Sequence, residues 1–218
     1  MDFAQARTNM VEQQVRPWDV LDMRVLDVME ALPRERFVPE GREGLAYADT
    51  EIPLEQGERM LAPKVVGRLL QALAPGSTET ALEIGTGSGY VTACLAHLCA
   101  QVDSVERIDA LRLAARTRLD AAGIQNASLR TATVTPDWAP ARTRYDLISV
   151  NGAMTEYHPF LQRHLSLGGR LFVVVGKPPV MEALLVTRVA ENSYRTDRLF
   201  ETTLKPLVGF EAQPEFVF

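Results

Sequence analysis

Hydrophobic and polar positions follow two different periods along most of the chain, which indicates alternating strands and helices. Beyond residue 62, short apolar runs are typical of buried strands, and the longer segments between them repeat apolar positions every three or four residues, as helices do. The predicted strands span residues 80–84, 101–105, 127–131, 145–150 and 170–175. One predicted helix begins at Pro63, and three more span residues 88–98, 109–122 and 157–165. Strands that alternate with helices predict an α/β fold, with a parallel sheet covered by helices on both faces.

The two ends of the chain depart from this alternation. Residues 4–15 and about 18–31 are predicted to form helices. Residues 39–60 hold three glycines, two prolines and several acids, a composition that favours an irregular surface loop of the kind that often carries function. Near the other end, residues 181–189 and 195–204 predict an antiparallel hairpin at the edge of the sheet.

A glycine-rich turn follows the first buried strand. Residues 81–90 read Ala-Leu-Glu-Ile-Gly-Thr-Gly-Ser-Gly-Tyr, with glycines at positions 85, 87 and 89. Glycines there let the backbone turn sharply and let a ligand approach it closely, and the helix that follows points its first N–H groups at the turn. Glu106 lies 21 residues after Gly85, at the end of the next strand, where a carboxylate can accept hydrogen bonds from both ribose hydroxyls of a nucleoside.

The spacing of the glycines separates two classes of nucleoside cofactor. Nicotinamide dinucleotides use the pattern GxGxxG, but here the third glycine comes one residue early and Tyr90 occupies its usual place. Glu83, two residues before Gly85, suits an ammonium group or a water molecule better than a pyrophosphate. We therefore expect S-adenosylmethionine, whose amino-acid end is a zwitterion, bound by a Rossmann-like methyltransferase fold.

Seven segments match the motifs of one known family. They are residues 10–17 (Met-Val-Glu-Gln-Gln-Val-Arg-Pro), 33–39 (Pro-Arg-Glu-Arg-Phe-Val-Pro), 47–49 (Tyr-Ala-Asp), 82–90, 104–108 (Ser-Val-Glu-Arg-Ile), 168–171 (Gly-Gly-Arg-Leu) and 204–208 (Leu-Lys-Pro-Leu-Val). Together they resemble the protein-L-isoaspartate O-methyltransferases over nearly the whole chain. The resemblance implies a seven-stranded α/β sheet with an N-terminal helical cap, and methyl transfer from S-adenosylmethionine to the free carboxylate of an isoaspartyl residue in a protein or peptide. It also implies a cap with an acceptor loop over residues 1–61 and a cofactor-binding domain over residues 62–218, which form one structural unit.

The glycine turn and the resemblance together define the candidate cofactor-binding residues. These are Met60, Glu83, Gly85, Thr86, Gly87, Ser88, Gly89, Glu106, Arg107, Thr133 and Asn151. Two of them stand where the sequence departs from the family. Thr133 lies where the family has an acid that reaches the adenine amine. Its hydroxyl can accept a hydrogen bond from that amine but carries no negative charge. Asn151 begins an Asn-Gly-Ala segment where the family usually has Thr-Ala-Ala, a mild change.

The acceptor loop departs from the family more sharply. Counted from Asp49 without a gap, the family segment Gln-Thr-Ile-Ser corresponds to Glu-Arg-Met-Leu at residues 58–61. Leu61 therefore replaces the serine hydroxyl, and its isobutyl group cannot hydrogen-bond a carboxylate. Arg59 either pairs with a carboxylate as a bidentate donor or projects into water. Asp49, Arg59 and Leu61 are the candidate catalytic positions.

Three functions remain open at this point. The protein methylates isoaspartyl residues with an altered pocket, it methylates a small molecule, or it binds S-adenosylmethionine without catalysis as an interaction protein. The feature that distinguishes them is whether Arg59 and Leu61 line an open acceptor pocket or plug it.

Composition and charge limit the kinds of partner and the cellular location that we expect for the protein. The net charge is −5 at pH 7 and the sequence has no lysine or arginine run, so we expect no nucleic-acid partner. Residues 1–16 are polar and mixed in charge, so we expect no secretory signal, and the longest apolar runs are shorter than a membrane span. We therefore expect a cytoplasmic protein without membrane attachment. Cys94 and Cys99 are predicted to be buried thiols, and three scattered histidines predict no metal site. The oligomeric state is left open.

Other polar and aromatic residues admit two interpretations each. His158 could act as a base if the acceptor were a hydroxyl or an amine, although a structural position near a helix start is favoured. The acids between residues 49 and 58 either attract a cationic substrate or are simply solvated. Phe210, Phe216 and Phe218 either dock on the body of the protein or mediate self-association.

Overall fold

A computed structural model describes residues 2–210. The α-helices are α1 (Phe3–Met10), α2 (Met23–Ala31), α3 (Pro63–Leu73), α4 (Tyr90–Leu98) and α5 (Asp109–Ala121). The strands are β1 (Ile52–Pro53), β2 (Arg59–Met60), β3 (Thr80–Ile84), β4 (Gln101–Glu106), β5 (Ala127–Thr131), β6 (Tyr145–Met154), β7 (Leu165–Lys177), β8 (Val180–Ala190) and β9 (Ser193–Thr202). The short strands β1 and β2 pair with each other, and the rest form one sheet.

The large sheet has seven strands in the order β5-β4-β3-β6-β7-β8-β9. The strands from β5 to β7 are parallel, and β8 and β9 continue the edge as antiparallel neighbours, as predicted. From β3 the chain builds outward to β4 and β5 on one side, and then returns to place β6 on the other side of β3. Connections leave β3 and β6 in opposite directions, so a crevice opens at their carboxyl ends, where ligands bind in such sheets.

Helix α2 begins at Met23, later than the predicted start near residue 18. The chain before it forms a short 3₁₀ turn, which contains Pro17 and ends at Asp19, whose left-handed φ of 58° stops helical propagation. Asp22 then caps α2 because its carboxylate accepts a hydrogen bond from the backbone N–H of Arg24 at 3.0 Å. The apolar periodicity identified the helix, but it did not reveal this interruption.

The helix predicted over residues 157–165 is wrong. The segment contains only a 3₁₀ turn, Gln162–His164, before β7 begins. Pro159 disfavours a helical conformation at the preceding residue, and Phe160 and Leu161 are buried against the sheet without a helix. Gly168 and Gly169 lie in an irregularity within β7, where the four residues 166–169 lie opposite the single residue Asp146 of β6.

One apolar cluster joins the N-terminal segment to the sheet domain. It contains residues of both predicted regions, such as Met29 and Phe37 before residue 61 and Leu69 and Leu95 after it. Helix α3 approaches the N-terminal helices closely at Gly67, where an added Cβ would lie 2.7 Å from Val15 Cγ1. The cap is therefore packed directly on the domain that carries the glycine turn.

Candidate functional site

A cleft of about 810 Å³ opens at the carboxyl ends of β3, β4 and β6. The glycine turn, the end of β4 and the end of β6 line one side. Residues 51–61, which we call the strap, and residues 204–208, which we call the C-terminal segment, contribute the opposite side. Several predicted site residues meet here, namely Arg59, Leu61, Gly85, Gly87, Glu106, Arg107, Thr133 and Asn151.

The three glycines of the turn all have positive φ angles, 92° at Gly85, 52° at Gly87 and 88° at Gly89. Side chains other than glycine rarely adopt this conformation, which explains the alternating pattern. Gly85 and Gly87 line the cleft. Gly89 does not line it: an added Cβ would lie 3.2 Å from the Cβ of Ala115, so this glycine allows α4 and α5 to pack closely.

Glu106 is held with its carboxylate at the edge of the cleft. Its Oε2 accepts from the backbone N–H of Gly87 at 2.9 Å, and its Oε1 accepts from the backbone N–H of Ile108 at 3.0 Å. A carboxylate offers about four acceptor positions, so these two bonds fix its orientation and leave capacity for two more donors. This arrangement fits a ligand that presents a pair of hydroxyl groups.

Glu83 lies beneath the turn rather than in the cleft. Its side chain has no exposed surface, and it accepts hydrogen bonds from Ser104 and Thr92, both at 2.5 Å, and from Asn151 at 2.8 Å. Burial raises the pKa of Glu83 to about 7, although the three hydrogen bonds favour the charged form. The expected contact between Glu83 and an ammonium group therefore has no support in this geometry. Glu83 instead orients Asn151, which does line the cleft.

A smaller cavity of about 300 Å³ lies beside the cleft. Met60, Thr86 and Ser88, all predicted site residues, line it, and so does the buried Arg34. The sequence predicts no function for Arg34, although it lies in one of the segments that resemble the family. The Arg34 guanidinium donates to two carbonyl oxygens of the chain before α3, that of Ala46 at 2.8 Å and that of Leu61 at 2.6 Å.

Ion pairs fasten the strap to the rest of the protein. Glu58 Oε1 lies 2.8 Å from Arg107 Nη2 and 2.9 Å from Lys205 Nζ, so it joins the strap to β4 and to the C-terminal segment. Within the strap, Glu51 lies 3.7 Å from Arg59, and burial raises the Glu51 pKa. Glu51 and Glu58 therefore form ion pairs within the chain, which neither of the two interpretations of the acidic loop predicts.

The three candidate catalytic positions do not all meet in the cleft. Leu61 is buried and Arg59 is about half exposed, and both line the cleft and the smaller cavity. Asp49 lines neither, because its carboxylate pairs with Lys64 at 2.7 Å on the surface. The structure therefore places Asp49 outside the site, while Arg59 and Leu61 adjoin it.

The remaining candidates lie away from the cleft. His158 packs against Phe210, with ring centroids 5.2 Å apart, and Phe210 is buried against the body. Phe216 and Phe218 lie outside the described residues. Cys94 and Cys99 are free and buried. Within residues 2–210, no group of three or more potential metal ligands occurs, and no helix has the length and apolarity needed to cross a bilayer.

The fold and the cleft together define a class of protein. A glycine turn at the switch point of a parallel sheet, followed by an acid that can bind a ribose at the end of the next strand, is typical of S-adenosylmethionine-dependent methyltransferases. The cleft also offers apolar surface for a purine ring, from Ile84, Val105, Val134 and Leu207. The residues present therefore fit this methyl donor, with Thr133 as an uncharged neighbour.

Comparisons with known proteins give the family. The family model described as Protein-L-isoaspartate(D-aspartate) O-methyltransferase matches residues 5–212. The protein-L-isoaspartate O-methyltransferase 2 of Marinobacter nauticus is 36% identical over 98% of this chain and 97% of its own length. The protein-L-isoaspartate O-methyltransferase of Magnetococcus marinus is 39% identical over 94% of this chain and 89% of its own length. The chain therefore belongs to the protein-L-isoaspartate(D-aspartate) O-methyltransferase family, and it is an S-adenosylmethionine-dependent methyltransferase.

A solved structure confirms the fold. The crystal structure of a Plasmodium falciparum β-aspartate methyltransferase, in complex with S-adenosyl-L-homocysteine, superimposes with a TM-score of 0.77. The two sequences are 20% identical, and the match covers 92% of this chain and 97% of that one. The predicted seven-stranded α/β methyltransferase fold is thus confirmed.

Proposed function

We propose that this protein transfers a methyl group from S-adenosylmethionine to the free carboxylate of an isoaspartyl residue in a protein or peptide. The observation that carries the proposal is that Arg59 and Leu61 line an open cleft instead of filling it. An open acceptor side beside an ordered glycine turn is what a catalyst requires, and it argues against a protein that only binds the cofactor.

The reaction needs placement more than acid–base chemistry. The bound cofactor supplies a methyl group already activated by a sulfonium centre. A carboxylate oxygen of the acceptor would form the new C–O bond as the S–CH₃ bond breaks, and the electron pair of that bond would stay on sulfur. An ionised carboxylate is already a nucleophile, so no general base is required, and holding the reacting groups in line supplies much of the acceleration.

Two strap residues, Arg59 and Leu61, have different roles on the acceptor side of the cleft. The guanidinium of Arg59 provides the positive charge and the donors that a carboxylate needs, since its only ion-pair partner within residues 2–210 is Glu51 at 3.7 Å. The buried Leu61 excludes water beside it. We propose that Arg59 thus assumes the carboxylate-binding role that the resemblance assigns to a serine hydroxyl at position 61.

The cofactor side is assigned to residues that line the cleft and the smaller cavity. Glu106 would hold the ribose, and Ser88 and Thr86 would border the amino-acid end. Gly85 and Gly87 allow close approach of the ligand to the backbone. In this proposal Glu83 acts only through Asn151, as a positioning residue.

Partners and location follow the same assignment. Protein and peptide substrates fit the family, and we place the protein in the cytoplasm because Cys94 and Cys99 are unpaired, buried thiols. Residues 1–61 would supply the acceptor side and residues 62–218 the cofactor side of a single unit.

The proposal is tested by transfer of radiolabelled methyl groups to an isoaspartyl peptide and to the same peptide with a normal aspartyl linkage. We expect only the first peptide to be labelled. Arg59→Gln should lower kcat/KM roughly 10–100-fold, because one charge-assisted interaction is lost. Arg42→Gln, at an exposed position outside the cleft, is the matched control. Equal labelling of both peptides, or no effect of Arg59→Gln, would contradict the proposal.

A further inference from the structure

The smaller cavity contains a buried cation that the protein does not neutralise. Arg34 has no exposed surface, and its Nη1 has no hydrogen-bond partner, while Nε and Nη2 each bind a backbone carbonyl. No acid within residues 2–210 lies within ion-pair distance of this guanidinium. The face of the guanidinium lies 4.8 Å from the ring centroid of Tyr90, another residue of the cavity wall.

A buried guanidinium without a counter-ion is destabilising, and buried charges of this kind cluster at sites where a ligand supplies the opposite charge. The cavity wall contains no carboxylate, and Met60, Leu61, Val66 and Val91 supply its apolar surface. A negatively charged group that enters this cavity would therefore find its charged partner at Arg34, with Arg59 on the cleft side.

The position of the cavity indicates which anion enters. Gly85, Gly87 and Asn151 line both the cleft and the cavity, whereas Glu106 lines the cleft alone. A ligand whose ribose is held at Glu106 would pass the glycines and reach the cavity with its other end. For the cofactor, that end carries a carboxylate. A peptide acceptor, which arrives from solvent, would meet the half-exposed Arg59 before the fully buried Arg34.

We propose that Arg34 is a cofactor-binding residue whose Nη1 donates to the carboxylate of the amino-acid end of S-adenosylmethionine. The inference rests on the proposed cofactor site and extends it to a residue of the N-terminal cap. Because the same guanidinium holds the Leu61 carbonyl, it would connect the bound carboxylate directly to the acceptor loop.

The test compares three ligands by calorimetric titration of the whole protein. S-adenosylhomocysteine carries the carboxylate, its decarboxylated analogue lacks only that group, and 5′-methylthioadenosine lacks the whole amino-acid end. We expect the unmodified protein to bind S-adenosylhomocysteine at least about tenfold more tightly than the decarboxylated analogue, as a charge-assisted hydrogen bond requires. Arg34→Gln should remove this preference and leave the affinity for methylthioadenosine within about twofold.

Arg34→Lys keeps a positive charge at this position and should retain part of the preference. It serves as the test if Arg34→Gln fails to fold. Equal affinity of the unmodified protein for S-adenosylhomocysteine and its decarboxylated analogue would overturn the proposal. The proposal would also be overturned if both variants kept the preference for S-adenosylhomocysteine over its decarboxylated analogue and showed a raised KM for the peptide. That result would assign Arg34 to the acceptor. If methylthioadenosine also fails to bind the unmodified protein, the cofactor site itself is wrong.

Discussion

The two sides of the cleft are held by different kinds of interaction. On the turn side, Glu83 and Glu106 are buried, and each is fixed by hydrogen bonds from groups in the sheet or the turn. On the strap side, Glu58 and Arg59 rely on ion pairs whose partners are about a quarter to a half exposed. Buried hydrogen bonds are costly to break, whereas exposed ion pairs contribute little and are screened by salt. The turn side is therefore held firmly. On the strap, Glu58 and Arg59 are held only weakly, whereas Leu61 at its end accepts a buried hydrogen bond from Arg34.

The largest expected effect concerns the buried carboxylate of Glu83. Its pKa is about 7 in the folded protein against 4.5 ordinarily, so stability is highest while it is protonated and is lost as the pH rises through about 7. Between pH 4 and pH 8, the unfolding free energy of the unmodified protein should fall on the order of 3 kcal/mol more than that of Glu83→Gln. Urea titrations of both proteins across this range measure the difference. Parallel pH profiles would mean that Glu83 ionises as freely as an exposed acid.

Removal of the Glu106 carboxylate should damage cofactor binding next most strongly. Glu106→Ala should weaken S-adenosylhomocysteine roughly 100-fold, because two charge-assisted hydrogen bonds to the ribose, at about 1.5 kcal/mol each, are lost. Calorimetry measures the loss, and Glu201→Ala, on the outer strand β9, is the control. An unchanged dissociation constant would refute the assignment of Glu106 to the ribose.

The turn side of the cleft is easier to predict from the sequence than the strap side. The turn, its positive φ angles and the acid at the end of β4 depend on residues close in the chain, so glycine spacing predicts them. Glycine spacing also predicts that Glu83 contacts the ligand. In the structure its carboxylate is instead satisfied by Ser104, Thr92 and Asn151, which lie on other elements. Spacing alone does not predict such tertiary contacts.

The residues around the strap are harder to predict from sequence for the same physical reason. Asp49 was expected in the site, but Lys64, a residue of α3, holds it at the surface. The role proposed for Arg34 is not predictable from the sequence, because it depends on features that are brought together only by folding, namely the carbonyls of Ala46 and Leu61 and the cavity beside them. One signal was available: an arginine inside a motif that also contains Phe37, a core residue.

On the strap, the replacement at position 61 can be reversed. Leu61→Ser should raise kcat/KM for an isoaspartyl peptide about threefold to tenfold if a hydroxyl adds a hydrogen bond to the carboxylate already held by Arg59. The methyl-transfer assay measures the gain, and Leu61→Ala controls for the lost side-chain volume. A gain shared by both variants would mean that space, and not the hydroxyl, limits the reaction. A loss in the serine variant would mean that the acceptor has diverged from the family.

The smallest effect is expected from the ion pairs that fasten the strap. Glu58→Gln removes the partner of both Arg107 and Lys205, and exposed pairs contribute only about 0.2–1 kcal/mol each. We expect kcat/KM to fall less than about tenfold, and the difference from the unmodified protein to vanish near 1 M salt, where screening is strong. A salt-independent difference would show that Glu58 contacts the substrate rather than fastening the strap.

The most direct test of the account is a calorimetric titration of the unmodified protein with S-adenosylhomocysteine, followed by an isoaspartyl peptide and, in parallel, by its aspartyl counterpart. We expect S-adenosylhomocysteine to bind at a single site, and only the isoaspartyl peptide to bind after it. Cofactor binding without any preference between the peptides would contradict the proposed acceptor, and failure to bind S-adenosylhomocysteine would contradict the cofactor site from which the whole account is built.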